Sequence, residues 1–299
     1  MTSITIFSAP KPFTDPHIDL IQRNAIQSWQ RAGDDVEVIL VGEEDGLAEV
    51  AAEYGVRHLP NVARNHLNTP LVSSIFQLAH EASDSELLVY INADIILFPD
   101  FEELVQQVAG QGDDFLAVGR RWDLDIRTSL DFTSNWAEDL KVEAHARGQL
   151  QRSVAIDYFI FPRNLFLQIP DFAIGRAGWD NWMIYHACEQ NWPVIDLSPS
   201  LMIIHQQHDY NHLPGGQAHY DLEESHVNVA LGGGKQNAYT ILEANREFVA
   251  GRVRRPRWRW TRLLRRAERW MVSREPQGKR WNISRRLRKA WVKLEQKGL

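Results

Sequence analysis

One cysteine, Cys188, in 299 residues rules out an internal disulfide framework and fits a reducing compartment. No stretch approaches the ~18 consecutive apolar residues of a membrane-spanning helix. No basic segment leading into a long apolar run opens the chain, so no signal peptide is apparent, and the expected location is cytoplasmic. Two phosphate-binding fingerprints are also missing. No G-x-G-x-x-G follows the first predicted strand, and Leu231-Gly232-Gly233-Gly234-Lys235 lacks the spacing of a P-loop and continues with Gln236. Acidic residues are scarce in one part only. Residues 251–299 hold 18 Lys+Arg and 3 Asp+Glu, net +15; subtraction from totals of 33 and 39 leaves 15 and 36, net −21, for residues 1–250. Such asymmetry marks an appended interaction segment. The sequence therefore divides into a domain over 1–250 and a basic, Trp/Arg-rich helical tail over 251–299.

What the first part does contain is alternation. Ile4 to Pro10 reads as a strand ending in Ser8-Ala9-Pro10. Thr14-Asp15-Pro16 is a helix start, with Ile18, Ile21, Ala25 and Trp29 on one face and Gly33 at its end. Val36 to Val41 is a second strand, Gly42-Glu43-Glu44-Asp45-Gly46 an acidic turn, Leu47 to Tyr54 a helix, and Val56 to Leu59 a third strand. This βαβαβ order predicts an α/β fold, Rossmann-like, with a mostly parallel central sheet. Further on, a helix begins at Thr69-Pro70 with Leu71, Ile75, Leu78 and Ala82 inward, and another spans Phe101 to Ala109. Phe115 to Gly119 is a strand, Asp123 to Asn135 an irregular loop, and Trp136 to Arg147 a polar helix suited to covering one side of a ligand site. Ala155 to Phe161, Pro193 to Leu197 and Leu201 to Ile204 complete the strands, and a helix from about Ala238 to Val249 closes the domain. Leu213-Pro214-Gly215-Gly216 marks a loop.

The organising stretch is Leu87 to Phe98, nearly continuous apolar sequence interrupted only by Asn92-Ala93-Asp94. Runs of this kind form strands buried on both faces. A carboxylate between two such halves is costly without a partner, and the economical place for it is the strand end, where ligands bind in open α/β sheets. A plain turn cap is the competing reading. Asp180, in Gly178-Trp179-Asp180-Asn181-Trp182, likewise suits a helix N-terminus. Trp179 and Trp182 suit either a core or the apolar face of a sugar ring. Asp157 beside Tyr158 is either structural or a holder of a sugar hydroxyl. His205, His208 and His212 lie within eight residues after a buried strand, and imidazole is a common ligand of divalent ions.

Hydrophobic strand, Asn-Ala-Asp, hydrophobic strand, then Pro99-Asp100-Phe101 resembles the Asp-X-Asp region of nucleotide-sugar glycosyltransferases of the GT-A fold. The resemblance covers residues 1–250 in order: nucleotide-side strands, Asn-Ala-Asp, Gly-Trp-Asp, then a histidine after a strand. It implies that Asp94 and His205, with His208 in reserve, hold Mg²⁺ or Mn²⁺. Asn92 departs from the pattern, which has Asp there. It further implies that Ser8, Ala9, Pro10, Glu43, Arg64, Asn92 and Ala93 face a nucleoside-diphosphate sugar. Asp180 would be the base for an acceptor hydroxyl, and Trp179, Asn181 and Trp182 the acceptor side. A sugar-nucleotide nucleotidyltransferase is an alternative, although Ser8-Ala9-Pro10-Lys11-Pro12 lacks that family's glycine-rich loop. A non-catalytic sugar- or membrane-binding module is another.

In the tail, Leu263, Ala267, Trp270 and Met271 share one helical face, as do Ile283, Leu287, Trp291 and Leu294, with a break near Pro276-Gln277-Gly278. Basic amphipathic helices with tryptophan suit an anionic membrane surface, giving a peripheral position at the inner membrane face and a carbohydrate or lipid-linked acceptor. Nucleic acid is the rival partner, and packing on the acidic body is the third option.

Overall fold

Asp15 begins the first helix as its sequence predicts: its carboxylate accepts the backbone N–H groups of His17 and Ile18. The computed structural model describes residues 2–208, 222–272 and 277–297; the expected loop at Leu213–Gly216, His212 and Pro276 lie outside them. In chain order come β1 (Ile4–Ser8), α1 (Pro16–Trp29), β2 (Val36–Val41), α2 (Leu47–Tyr54), β3 (Arg57–Leu59) and α3 (Val72–Ala82). Then follow β4 (Leu87–Ile91), β5 (Ile95–Ile96), α4 (Phe101–Ala109), β6 (Leu116–Val118), β7 (Trp122–Leu124), α5 (Trp136–Arg147) and β8 (Gln149–Leu150). The remainder is β9 (Tyr158–Pro162), α6 (Trp179–Glu189), β10 (Val194–Asp196), β11 (Ile204–Gln206), α7 (Glu223–Leu231), β12 (Arg246–Val249), β13 (Arg252–Arg254), α8 (Trp260–Met271) and α9 (Gly278–Glu295).

The central sheet has the order β13-β12-β10-β6-β9-β4-β1-β2-β3. Most neighbours are parallel; β9 runs against β4 and β6, and β13 against β12. β4 is buried at every residue, as a strand covered on both faces must be. One apolar layer beneath it joins α1, α2 and α4 through Ile26, Trp29, Val50 and Phe101. The other joins α3 and α6 through Ile75, Phe76, Met183 and Ile184.

The Asn-Ala-Asp turn hands the chain from the central sheet to a second one, ordered β5-β11-β7-β8. Two buried polar contacts pin this small sheet to α1. The Trp29 indole donates to the Ile95 carbonyl at 2.8 Å, and Gln206 is held between Asn24 at 3.0 Å and the Ile21 carbonyl at 2.7 Å.

Several local expectations are corrected. The first two residues of the expected irregular stretch, Asp123 and Leu124, belong with Trp122 to β7, because its backbone pairs with β11 and β8. Helix α5, expected as a cover, is anchored on the small sheet, where Trp136, Leu140 and Ala144 pack with Ile96, Phe98 and Leu124. The inward face of α3 is Val72, Ile75, Phe76 and Ala79. Instead of a helix from Ala238 to Val249 there is a single 3-10 turn at Ile241–Glu243, closed by a Thr240–Glu243 capping box, and then β12. The central sheet thus continues past residue 250 into β13. Gly33 lies beyond the end of α1, which stops at Trp29.

Candidate active site

Strands β1 and β4 end side by side in parallel register, and β9 begins where they end, since Tyr158 pairs with Ile91. The residues just beyond those ends line a cleft of about 1050 Å³. Asp94 sits at its floor. The register of the small sheet brings the other groups to it: His205 pairs directly with Ile95 on one side and with Asp123 on the other.

Asp94, His205 and His208 form a cluster whose ligand atoms all lie within 4.8 Å of one another. Asp94 Oδ2 is 3.1 Å from His208 Nε2 and 3.7 Å from His205 Nε2. Asp94 Oδ1 is buried and has no hydrogen-bond partner among the described residues, which is costly unless a cation or ligand completes the site. Burial opposes ionisation of Asp94. The two histidines and Lys11 outweigh that and hold its carboxyl far below the usual range. His205 turns its other nitrogen, Nδ1, toward Asp123 Oδ1 at 3.2 Å, an ion-pair contact off hydrogen-bond alignment, and a carboxylate on that side of the ring is what orients metal-binding histidines. Lys11 Nζ is 3.2 Å from His208 Nε2.

A second set of charges braces the floor. Asp157, 4 % exposed, pairs through one oxygen with Arg121 and accepts the Asn92 amide at 2.9 Å. Tyr90 donates to Asn92 Oδ1 at 3.1 Å. Arg121 also reaches Asp123 Oδ1 at 2.9 Å. Burial lowers the Arg121 proton affinity, but Asp157, Asp123 and Asp94 raise it further, so the guanidinium stays charged.

Asp180 lines the same cleft from the first turn of α6. Gly178 precedes it at φ +108°, a conformation that side chains rarely adopt. Asp180 Oδ1 accepts the Asn181 N–H at 2.8 Å. Burial pushes its carboxyl up to about 6, against its backbone hydrogen bonds and with help from Asp157.

Of the residues expected from the sequence, Ala9, Pro10, Glu43, Arg64, Asn92, Ala93, Asp94, Trp179, Asp180 and His205 line this one cleft, as does His208. Ser8, Asn181 and Trp182 do not. Ser8 is buried and donates to the Ile91 carbonyl at 2.6 Å. Asn181 donates to the Tyr239 carbonyl at 2.7 Å. The Trp182 ring stacks on His186, centroids 4.6 Å apart, within the core. Trp179 borders the cleft edge-on to Tyr90, with centroids 5.0 Å apart. Arg64 is paired with Glu44 at 2.9 Å. Lys11, Glu44, Arg121 and Asp123 were not foreseen as site residues. The only sequence signal for Lys11 is its place in the loop after β1; Asp123 gives none until strand register sets it beside His205.

No protein-family model and no curated protein sequence matches the chain. Solved structures match it by chain path. Glucosyl-3-phosphoglycerate synthase from Mycobacterium tuberculosis in complex with Mg²⁺ and uridine diphosphate aligns at TM-score 0.47 and 14 % identity, over 86 % of this chain and 87 % of that one. The same enzyme with Mn²⁺, UDP-glucose and phosphoglyceric acid aligns at 0.42 and 16 %, over 69 % and 72 %. A mycobacterial protein aligns at 0.42 and 15 %, over 69 % of this chain and 65 % of its own length. At such scores, function has to be read from the side chains of the cleft.

Proposed function

We propose that the cleft is the active site of a metal-dependent glycosyltransferase of the GT-A fold, which moves a sugar from a nucleoside-diphosphate donor to a hydroxyl acceptor. The observation that carries this reading is the pairing of two chemistries in one cleft. A carboxylate with a buried oxygen unpartnered among the described residues stands beside two histidines, and the same cleft is lined by a second carboxylate, Asp180, raised to about 6.

Asp94, His205 and His208 would hold the cation, and a mixed carboxylate–imidazole set favours Mn²⁺ over Mg²⁺. Such an ion neutralises a departing diphosphate as a Lewis acid. The protein's own groups carry the rest. Lys11, beside His208, adds positive charge at the same end of the cleft. Asp123 fixes the His205 ring, and Arg121 fixes Asp123 and Asp157 in turn. Asp180, ionised at neutral pH, accepts the acceptor hydroxyl proton. The hydroxyl oxygen then bonds to the anomeric carbon as the bond from that carbon to the diphosphate breaks, and the electron pair leaves with the diphosphate. This is direct displacement with inversion. The donor lies along Ala9, Pro10, Glu43, Arg64, Asn92 and Ala93, and the carbohydrate or lipid-linked acceptor on the Trp179–Asp180 side.

The test is thermal stabilisation by nucleoside diphosphates and diphospho-sugars with and without Mn²⁺. A rise that requires both metal and one nucleotide, and that vanishes in Asp94→Ala, is the expected result. No shift with any combination would sink the reading and leave a non-catalytic module.

A further inference from the structure

We propose that the outer face of the α8–α9 hairpin docks on an anionic lipid surface. Helix α8 is packed inside out. Its buried side chains are Thr261, Arg265 and Glu268, at 1 %, 7 % and 3 % exposure, whereas Trp270 is 83 % exposed, Trp260 58 % and Leu263 45 %. Arginine and glutamate are almost never buried unless paired, and a water-soluble helix turns its tryptophan inward. Here the charges are paired. Arg265 reaches Glu243 at 2.8 Å and Glu268 at 2.9 Å, and the Trp291 indole donates to Glu268 at 2.5 Å. Polar contacts therefore hold the hairpin on the body, and the apolar stripe is left outside. Trp258 extends that stripe, 67 % exposed and edge-on to Trp260 with centroids 4.7 Å apart.

The stripe carries its own chemical address. Leu263, Arg266 and Trp270 follow one another at helical spacing along one side of α8, with the exposed Arg259 at its N-cap, so arginine is interleaved with large apolar groups. On α9, Arg285, Arg286, Arg288 and Lys289 are exposed, with Ile283 among them. Tryptophan, leucine and arginine on one exposed face match the headgroup boundary of an anionic bilayer, where the rings sit at the interface and the cations meet lipid phosphates. Nucleic acid would use the arginines and leave Leu263 and Ile283 without a role. No helix among the described residues is long and apolar enough to cross a membrane, so the contact is interfacial. Trp291, expected on the membrane side, is 1 % exposed and belongs to the inner packing.

The assignment is independent of the transferase reading and is tested with the full chain. Flotation with phosphatidylcholine vesicles should show little binding. Vesicles containing phosphatidylglycerol should bind, with a blue shift of tryptophan emission and weakening in high salt. The triple exchange Trp258→Ser, Trp260→Ser, Trp270→Ser touches only exposed side chains and should reduce vesicle binding by about tenfold or more with unchanged thermal stability. Binding that the triple variant retains in full, or that single-stranded nucleic acid displaces with no emission shift, would overturn the proposal in favour of a simple polyanion site. So would self-association abolished by the triple exchange without any vesicle binding, which would assign the face to a second copy.

Discussion

Asn92 stands where the resemblance leads one to expect aspartate, and its surroundings account for the difference. Its amide donates to Asp157, which is buried and already shares an oxygen with Arg121. A carboxylate at position 92 would face another carboxylate at hydrogen-bond distance. Asn92→Asp should therefore destabilise the fold by about 3 kcal/mol at neutral pH, seen as a lower denaturation midpoint. Acidification should relieve the loss, because protonating one member restores a donor. Asp180 makes the complementary case. Its carboxyl is raised from 3.8 to about 6 chiefly by burial, so the neutral form is the one that folding favours. The stability it contributes is full below its unfolded value and is lost as pH rises through about 6. Since Asp180 borders an open cleft, this amounts to no more than about 3 kcal/mol between about pH 4 and pH 7. Unfolding free energies of the wild type should fall across that window relative to Asp180→Asn, in which the slope disappears. If Asp180 is the base, kcat rises through the same window and Asp180→Asn loses about 10²–10⁴-fold; a variant with near-normal turnover would remove it from the mechanism.

Among the elements, the pairing of β7 with β11 matters most to the site, because it sets Asp123 against His205. Asp123→Ala should weaken Mn²⁺ binding about 10- to 100-fold, measured by calorimetry or by the manganese spin signal, with little change in unfolding midpoint. Unchanged affinity would show that His205 needs no such support. The same pairing explains what the sequence could and could not convey. Periodicity and punctuation made β2, α2 and α4 legible to the residue, because each has a clear apolar pattern and a turn or glycine at its ends; α5 was legible from its run of helix-forming residues ending at Gly148 and not from an apolar stripe. The apolar run around Asp94 pointed to a strand end at a ligand site, and Asp94 and Asp180 do meet in one cleft. Asp123 was hidden inside mixed, short-range sequence whose strand character comes only from its neighbours. The expected helix over 238–249 failed for a related reason. Thr240 and Glu243 close one turn, after which pairing of Ile195 with Arg246 and Asp196 with Glu247 takes the backbone into the sheet, overriding helix propensity.

At the scale of the molecule, the tail is fastened to the body at the cleft as well as beneath α8. The Glu295 carboxylate near the end of α9 accepts the Ser153 N–H at 2.7 Å, and Gln151, Arg152, Val154 and Ala155 around it line the cleft. Glu295→Ala leaves that N–H without its partner, at a cost of about 1–3 kcal/mol locally. The Ser153 amide should exchange with solvent about tenfold faster or more, measured by hydrogen exchange of the full chain. An unaltered exchange rate would mean that the loop stands without the tail. The fastening also gives the unequal charge a direction. With net −21 in residues 1–250 and net +15 in residues 251–299, the exposed basic groups of α8 and α9 are held at a fixed place on an otherwise acidic molecule. Near a negatively charged plane the molecule experiences a torque before it makes any contact, and it is turned like a compass needle to land on one end.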